Sequence, residues 1–141
     1  MDIAISGPRN GKLQEDLVLQ TYAAVKGFAK YLGINRLKTT IHVKLHHSAL
    51  VDGQDAEALC EAIDERHFRI DVGLYSNWLS NLAHEMVHVK QFAMGELDPG
   101  LTRWKSNRYA GNIEYWDQPW EKEARKLQHI MAELHTKGEL L

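Results

Sequence analysis

Two histidines four residues apart, with a glutamate directly after the first, are the residues best suited to chemistry in this chain. His84, Glu85 and His88 lie in the segment LAHEMVHVKQF, whose apolar residues recur with the period of a helix. Residues four apart lie one turn above each other on the same face of a helix, so both imidazoles can bind one metal ion. The spacing predicts a Zn2+ site at His84 and His88, with Glu85 as the general base beside it. Chance is the alternative, because the chain contains eight histidines, but the complete motif on a predicted helix favours the metal site.

A catalytic zinc site needs a third protein ligand, and the segment QPWEKEARKLQ offers two carboxylates for it. Glu121 and Glu123 lie in the first turn of a predicted helix, where acidic residues also stabilise the helix dipole without binding anything. If Leu127 marks the centre of the apolar face, a step of about 100° per residue places Glu123 inside that face and Glu121 near its edge. A carboxylate within an apolar face requires a partner. Helical periodicity therefore favours Glu123.

The apolar pattern also predicts the elements that must position these residues. We expect helices over residues 13–32, from an N-cap at Ser76 to residue 94, and over residues 119–136. We expect strands over residues 37–45, 56–63 and 67–72, the last two joined by a tight turn, although the segment AEALCEA at 56–62 could equally be helical. Residues 96–118 are predicted to form an irregular loop rich in aromatic side chains. The order of helix, small antiparallel sheet, helix, loop and helix predicts an α+β fold.

Composition narrows the class of protein. A chain of 141 residues with 44% hydrophobic and 26% charged residues fits one globular domain over residues 1–141. A net charge of −2 without a stripe of Lys and Arg predicts no direct nucleic-acid binding. The N-terminal residues lack a signal-peptide pattern and no apolar run could span a bilayer, so we expect a cytoplasmic protein without a membrane partner. The single cysteine, Cys60, excludes a Cys-based zinc site. No pattern specifies an oligomeric state.

The segments His84-Glu85-Met86-Val87-His88 and Glu121-Lys122-Glu123-Ala124 together resemble small HExxH zinc metallopeptidases of the gluzincin type, whose third ligand is a glutamate. The similarity is to compact ImmA-like repressor-cleaving peptidases and, more loosely, to SprT-like proteins, and it covers about half of the chain. It implies a minimal zincin-like fold.

In several of these families the glutamate ligand stands three residues before a small alanine, which corresponds here to Glu121 and Ala124. The resemblance thus implies Glu121 as the third ligand, and we retain Glu123 as the alternative. SprT-like proteins use a histidine instead, for which His129 is the nearby candidate, although it lies outside the pattern. Arg125 follows the alanine at a position where these families often have Asp or Asn.

The function that the resemblance implies is hydrolysis of peptide bonds in a protein or peptide substrate, with Glu85 moving a proton from the attacking water to the leaving amine. Tyr115, Tyr109 and His67 are candidates for stabilising the oxyanion. The strand at residues 67–72 is expected to be the sheet edge that binds an extended peptide. The alternative is a non-catalytic zincin-like module that binds metal or protein, but such a site would not need Glu85.

Two further groups of residues are expected to be structural. His46 and His47 are adjacent on a strand and point to opposite faces, so they cannot easily share one ion, and we expect them and His42 at the surface. The tryptophans Trp104, Trp116 and Trp120 could line a substrate groove, but we expect them to cover a small core belonging to the aromatic loop.

Overall fold

The chain forms three helices and a small sheet, which confirms the α+β class. The structure, a computed structural model, describes residues 1–7, 11–47, 51, 56–75, 77–109 and 113–140. In chain order the elements are β1 (Asp2–Ser6), α1 (Gly11–Leu32), β2 (Thr40–His46), β3 (Ala58–Ala62), β4 (His67–Gly73), α2 (Trp78–Ala93), β5 (Arg103–Trp104), β6 (Asn107–Arg108) and α3 (Pro119–Thr136). One turn of 3-10 helix, Tyr115–Asp117, directly precedes α3.

The main sheet is mixed, so the prediction of an antiparallel sheet is wrong. Its strand order is β1-β2-β4-β3, in which β2 pairs parallel with both β1 and β4, and only the β3–β4 hairpin is antiparallel. The sequence analysis missed β1, although Ile3 and Ile5 alternate as a strand requires and pack against the core. Helix α1 connects β1 to β2, and a connection of this length allows parallel pairing.

The core lies between one face of the sheet and the helices. Ile41 and Val43 of β2 are fully buried in it, whereas the alternate residues His42 and Lys44 are exposed. Strand β4 contributes its own buried residues to the same core, including Ile70. The strand predicted over residues 37–45 therefore corresponds to β2, with one buried face and one face exposed to solvent.

Helix α2 packs between the sheet and α3, with Leu82, Met86 and Val89 fully buried. Gly95 adopts a left-handed backbone conformation with φ of 72°, which ends the helix as predicted. The predicted N-cap, Ser76, lies outside the described residues. Helix α3 begins at Pro119, as expected. In the described ranges, none of the helices has both the length and the apolar character to cross a membrane.

The aromatic segment before α3 is more ordered than predicted, because β5 and β6 pair as a short hairpin. Leu97, Trp104 and Trp120 form a second small core beneath it, which confirms the structural role expected for these two tryptophans. The same prediction is wrong for Trp116, whose side chain is 67% exposed.

The position of β4 in the sheet corrects the expected peptide-binding edge. Strand β4 lies between β2 and β3, so its backbone is paired on both sides. The edge strand on this side of the sheet is β3. A peptide that extends the sheet here would therefore have to pair with β3.

His46 is another correction, since it is buried rather than at the surface. Its Nε2 donates a hydrogen bond of 2.8 Å to Oδ1 of Asp71. Arg69 also donates to both oxygens of Asp71, at 3.0 and 3.1 Å. Burial raises the pKa of Asp71, but the hydrogen bonds from Arg69 and His46 outweigh burial, so the pKa is lowered.

We expect Asp71→Asn to lower the free energy of unfolding at pH 7 by about 1–2 kcal/mol, the scale of a charge-assisted hydrogen bond. Because the pKa is lower in the folded state, this stabilisation is complete above the unfolded pKa of about 3.9 and disappears as the pH falls through the folded value. Urea unfolding of both proteins between pH 7 and pH 3 measures it. The control is Glu133→Gln, which removes an exposed ion pair with Lys137 and should change little. An Asp71→Asn deficit that stays constant with pH would contradict this explanation.

Candidate metal centre

The crossing of α2 and α3 brings both histidines of the motif to one carboxylate. Oε1 of Glu121 accepts hydrogen bonds from Nε2 of His84 at 2.9 Å and from Nε2 of His88 at 3.2 Å. These three side chains form a group whose possible ligand atoms all lie within 4.8 Å of one another. His88 and Glu121 are more than nine-tenths buried, so bulk water hardly competes for their polar atoms.

A buried glutamine fixes the ring of His88. Gln91 is fully buried one turn further along α2, and its Oε1 accepts a 2.8 Å hydrogen bond from Nδ1 of His88. Its Nε2 donates to the carbonyl oxygen of Trp120 at 2.9 Å and to Glu123 at 3.1 Å. Because the amide nitrogen must face these two acceptors, the oxygen must face His88. Because Gln91 binds Nδ1, the other ring nitrogen, Nε2, is the atom directed at Glu121.

A second glutamine does the same for His84, but from α3. Oε1 of Gln128 accepts a 2.6 Å hydrogen bond from Nδ1 of His84, while its Nε2 donates to Oγ of Ser80 at 3.2 Å. Oγ of Ser80 also lies 3.3 Å from Nδ1 of His129, which is exposed to solvent. Each imidazole is thus held by a neutral amide on the side away from Glu121.

Burial and charge shift the pKa values of the central residues. Burial raises the pKa of Glu121, but the hydrogen bonds from both histidines outweigh burial and lower it well below its usual range. Burial lowers the pKa of His88, whereas its hydrogen bond to Glu121 and the charge of Glu85 raise it, to about 9 overall. The pKa of Glu85 is raised, chiefly by burial, which the charges of His88 and His84 oppose. A buried carboxyl group with a raised pKa is suited to accepting and returning a proton.

The centre opens into a cleft of about 730 Å³. Glu85, His84 and His88 line its floor, and the edge strand β3 forms one wall through residues that include Cys60. Burial, and then the charge of Glu85, raise the pKa of the Cys60 thiol well above its usual value. The thiol therefore stays protonated and carries no charge.

The opposite wall consists of α3 and the 3-10 turn before it. Tyr115 donates a 3.0 Å hydrogen bond from its hydroxyl group to Oε1 of Glu121. Burial, followed by the charge of Glu121, raises the pKa of Tyr115, which therefore keeps its proton. Trp116 and Arg125 also line the cleft, and the guanidinium carbon lies 4.5 Å from the centroid of the Trp116 ring.

The remaining candidate residues lie apart from the three-residue group. Glu123 is bound to Lys90 at 3.2 Å and to Gln91, on the other edge of α3. Tyr109 packs edge-on against Trp120 in the second small core. His67 pairs with Asp64 in the β3–β4 turn. His129 reaches the rim of the cleft but is not among the ligand group.

Sequence reasoning missed the residues that surround the centre. Gln91 had a local signal, because a residue three positions after His88 on a helix lies on the same face. Gln128 and Arg125 had none, since only the packing of α3 against α2 brings them to the cleft. Trp116 was considered as a groove residue but assigned to a small core instead. Comparison with protein-family models, curated proteins and solved structures found no match to this chain.

The two glutamines differ in burial, which predicts different effects on stability. We expect Gln91→Leu to reduce the free energy of unfolding of the metal-free protein by about 2–4 kcal/mol, because it leaves Nδ1 of the buried His88 without a partner and removes the hydrogen bonds from the Gln91 amide nitrogen to Trp120 and Glu123. The matched variant Gln128→Leu should cost less than about 1 kcal/mol, because water can reach this half-buried site. Urea unfolding measures both. Equal losses would mean that the Gln91 network contributes nothing beyond packing.

Proposed function

We propose that this protein is a zinc-dependent metallopeptidase with a minimal zincin-like fold. The observation that carries the proposal is the convergence of His84, His88 and Glu121 in the floor of an open cleft, with Glu85 beside them. A site that only stabilised the fold would not need a second buried carboxyl group facing the same cleft. The arrangement therefore favours catalysis over a non-catalytic binding module.

The donor set fits zinc. Two imidazole nitrogens and one carboxylate oxygen are typical of catalytic zinc sites, which keep a further position open. Both imidazoles direct Nε2 to the centre because Gln91 and Gln128 bind Nδ1. Partners of this kind fix the orientation of ligating histidines. His84, His88 and Glu121 would hold the ion.

Zinc, when bound, would make a water molecule more acidic and polarise the carbonyl group of the scissile peptide bond. Glu85 takes a proton from that water as its oxygen adds to the carbonyl carbon. Glu85 then returns the proton to the nitrogen of the leaving amine as the carbon–nitrogen bond breaks. Its place in the floor of the cleft, buried beside the two histidines, supports this role.

The walls of the cleft would position the substrate. Among the described residues, no strand pairs with the outer edge of β3, so an extended peptide can pair with its backbone groups there. Tyr115 holds its hydroxyl proton next to the centre and can donate it as a hydrogen bond to the developing oxyanion. This makes Tyr115 the best placed of the three oxyanion candidates.

The zinc site is tested by metal analysis of protein purified without a metal-binding tag. We expect about one zinc per chain in the wild type and in Glu123→Ala, but almost none in Glu121→Ala, because only Glu121 contacts both histidines. Circular dichroism controls for folding of each variant. Loss of zinc only in Glu123→Ala would place the third ligand at position 123. A wild type without tightly bound zinc would contradict the proposed function.

Catalysis is tested separately with Glu85→Gln, which keeps the size of the side chain but cannot accept the proton. We expect zinc content to stay near one per chain while cleavage of an unstructured peptide falls about 10²–10⁴-fold. Cleavage is followed by mass spectrometry of the products. A zinc-loaded wild type that hydrolyses none of a diverse set of unstructured peptides would favour the non-catalytic module instead.

A further inference from the structure

We propose that Arg125 makes the cleft selective for substrates that present a carboxylate group near the scissile bond. The carboxylate is either an Asp or Glu side chain or the free C-terminus of a peptide. This inference rests on the proposed peptidase function and names the substrate class of that site.

Arg125 is directed to the same cleft as the proposed third ligand. It lies four residues after Glu121 on α3, so the two side chains are on the same face of the helix, one turn apart. Both residues line the cleft. A substrate held at the centre is therefore within reach of the guanidinium group.

The charge of Arg125 has no carboxylate partner in the part of the chain that the structure describes. The glutamate one turn before it on the helix, Glu121, is already bound by His84, His88 and Tyr115. Nη2 of Arg125 donates to the carbonyl oxygen of Trp116 at 2.6 Å, while Nη1 is buried without any acceptor. An arginine normally uses these donors to bind carboxylates in pairs, and a buried donor without an acceptor is costly.

Trp116 prepares the guanidinium group for binding. The ring stacks on it, and the Trp116 carbonyl group holds Nη2, so little side-chain freedom remains to be lost when a ligand binds. The guanidinium group therefore already has a fixed orientation when a carboxylate enters the cleft.

The other charges of the cleft make this selectivity depend on position. Glu57, which accepts a hydrogen bond from Asn81, lies on the wall formed by the β3 side, and Glu85 lies on the floor. These carboxylates repel an acidic side chain placed beside them. A glutamate in the substrate should therefore strengthen binding at the position next to Arg125 and not at every position.

The test uses twelve-residue unstructured peptides in which one glutamate is moved along the sequence, each with a glutamine-matched counterpart. Every peptide is made both as a free acid and as a C-terminal amide. Dissociation constants are measured with zinc-loaded Glu85→Gln protein, and kcat/KM with the active enzyme. We expect one glutamate position, or the free acid over the amide, to bind at least about tenfold better than its match. The favoured arm identifies the source of the carboxylate.

Variants assign this preference to Arg125. Arg125→Gln should abolish it, and Arg125→Lys should keep part of it, because lysine retains the charge but not the paired donors. Lys126→Gln is the matched control, since Lys126 is the next cation on α3 but is exposed and does not line the cleft. If Arg125 only anchors the 3-10 turn, Arg125→Gln will weaken binding of glutamate and glutamine peptides equally, and the inference is overturned.

Binding by the zinc-free wild type separates this inference from the proposed function. Arg125 does not depend on zinc for its charge, so a preference for the acidic peptide in the zinc-free protein supports the inference even if no peptide is cleaved. Equal binding of acidic and neutral peptides by both forms of the protein overturns it. Cleavage of neutral and acidic peptides at equal rates would do so as well, while leaving the peptidase function intact.

Discussion

The contact between one buried carboxylate and two imidazoles, made where α2 crosses α3, is the interaction on which the rest of the site depends. Glu121 is buried at this interface and accepts from both His84 and His88. Isolated polar groups at such an interface would destabilise it. Gln91 and Gln128 remove this problem, because each satisfies the remaining nitrogen of one ring. The interface is therefore stable and polar at once.

The use of neutral amides behind the histidines has a chemical consequence. Ligating histidines are often supported by carboxylates, which increase the basicity of the ring. A glutamine fixes the same orientation without adding a negative charge next to the centre. The resemblance to ImmA-like peptidases implied Asp or Asn after Ala124, and Arg125 stands there instead. Gln128, one turn further along α3, provides the support for His84 that this position lacks.

The mixed sheet determines which strand lies at the edge beside the cleft. Strand β4 pairs with β2 on one side and with β3 on the other. Strand β3 is therefore the edge strand, and it lies next to α2. Although the segment AEALCEA that contains β3 could equally have been helical, β4 alternates after a tight turn, so the hairpin itself was partly predictable. The order of the strands was not, because the parallel pairing of β1 with β2 depends on how α1 packs over the sheet, which no local pattern encodes.

The sequence by itself determined the helices, the α+β class and the cluster of His84, Glu85 and His88, because each depends on periodicity within one segment. For the third ligand, helical periodicity centred on Leu127 favoured Glu123, whereas the family resemblance implied Glu121. The buried residues Trp120, Ala124 and Met131 instead centre the apolar stripe of α3 between the two glutamates, so the observed burial favours neither. Only the tertiary structure decided that the histidines contact Glu121 and that Lys90 contacts Glu123, because the crossing of two helices sets which edge faces which side chain.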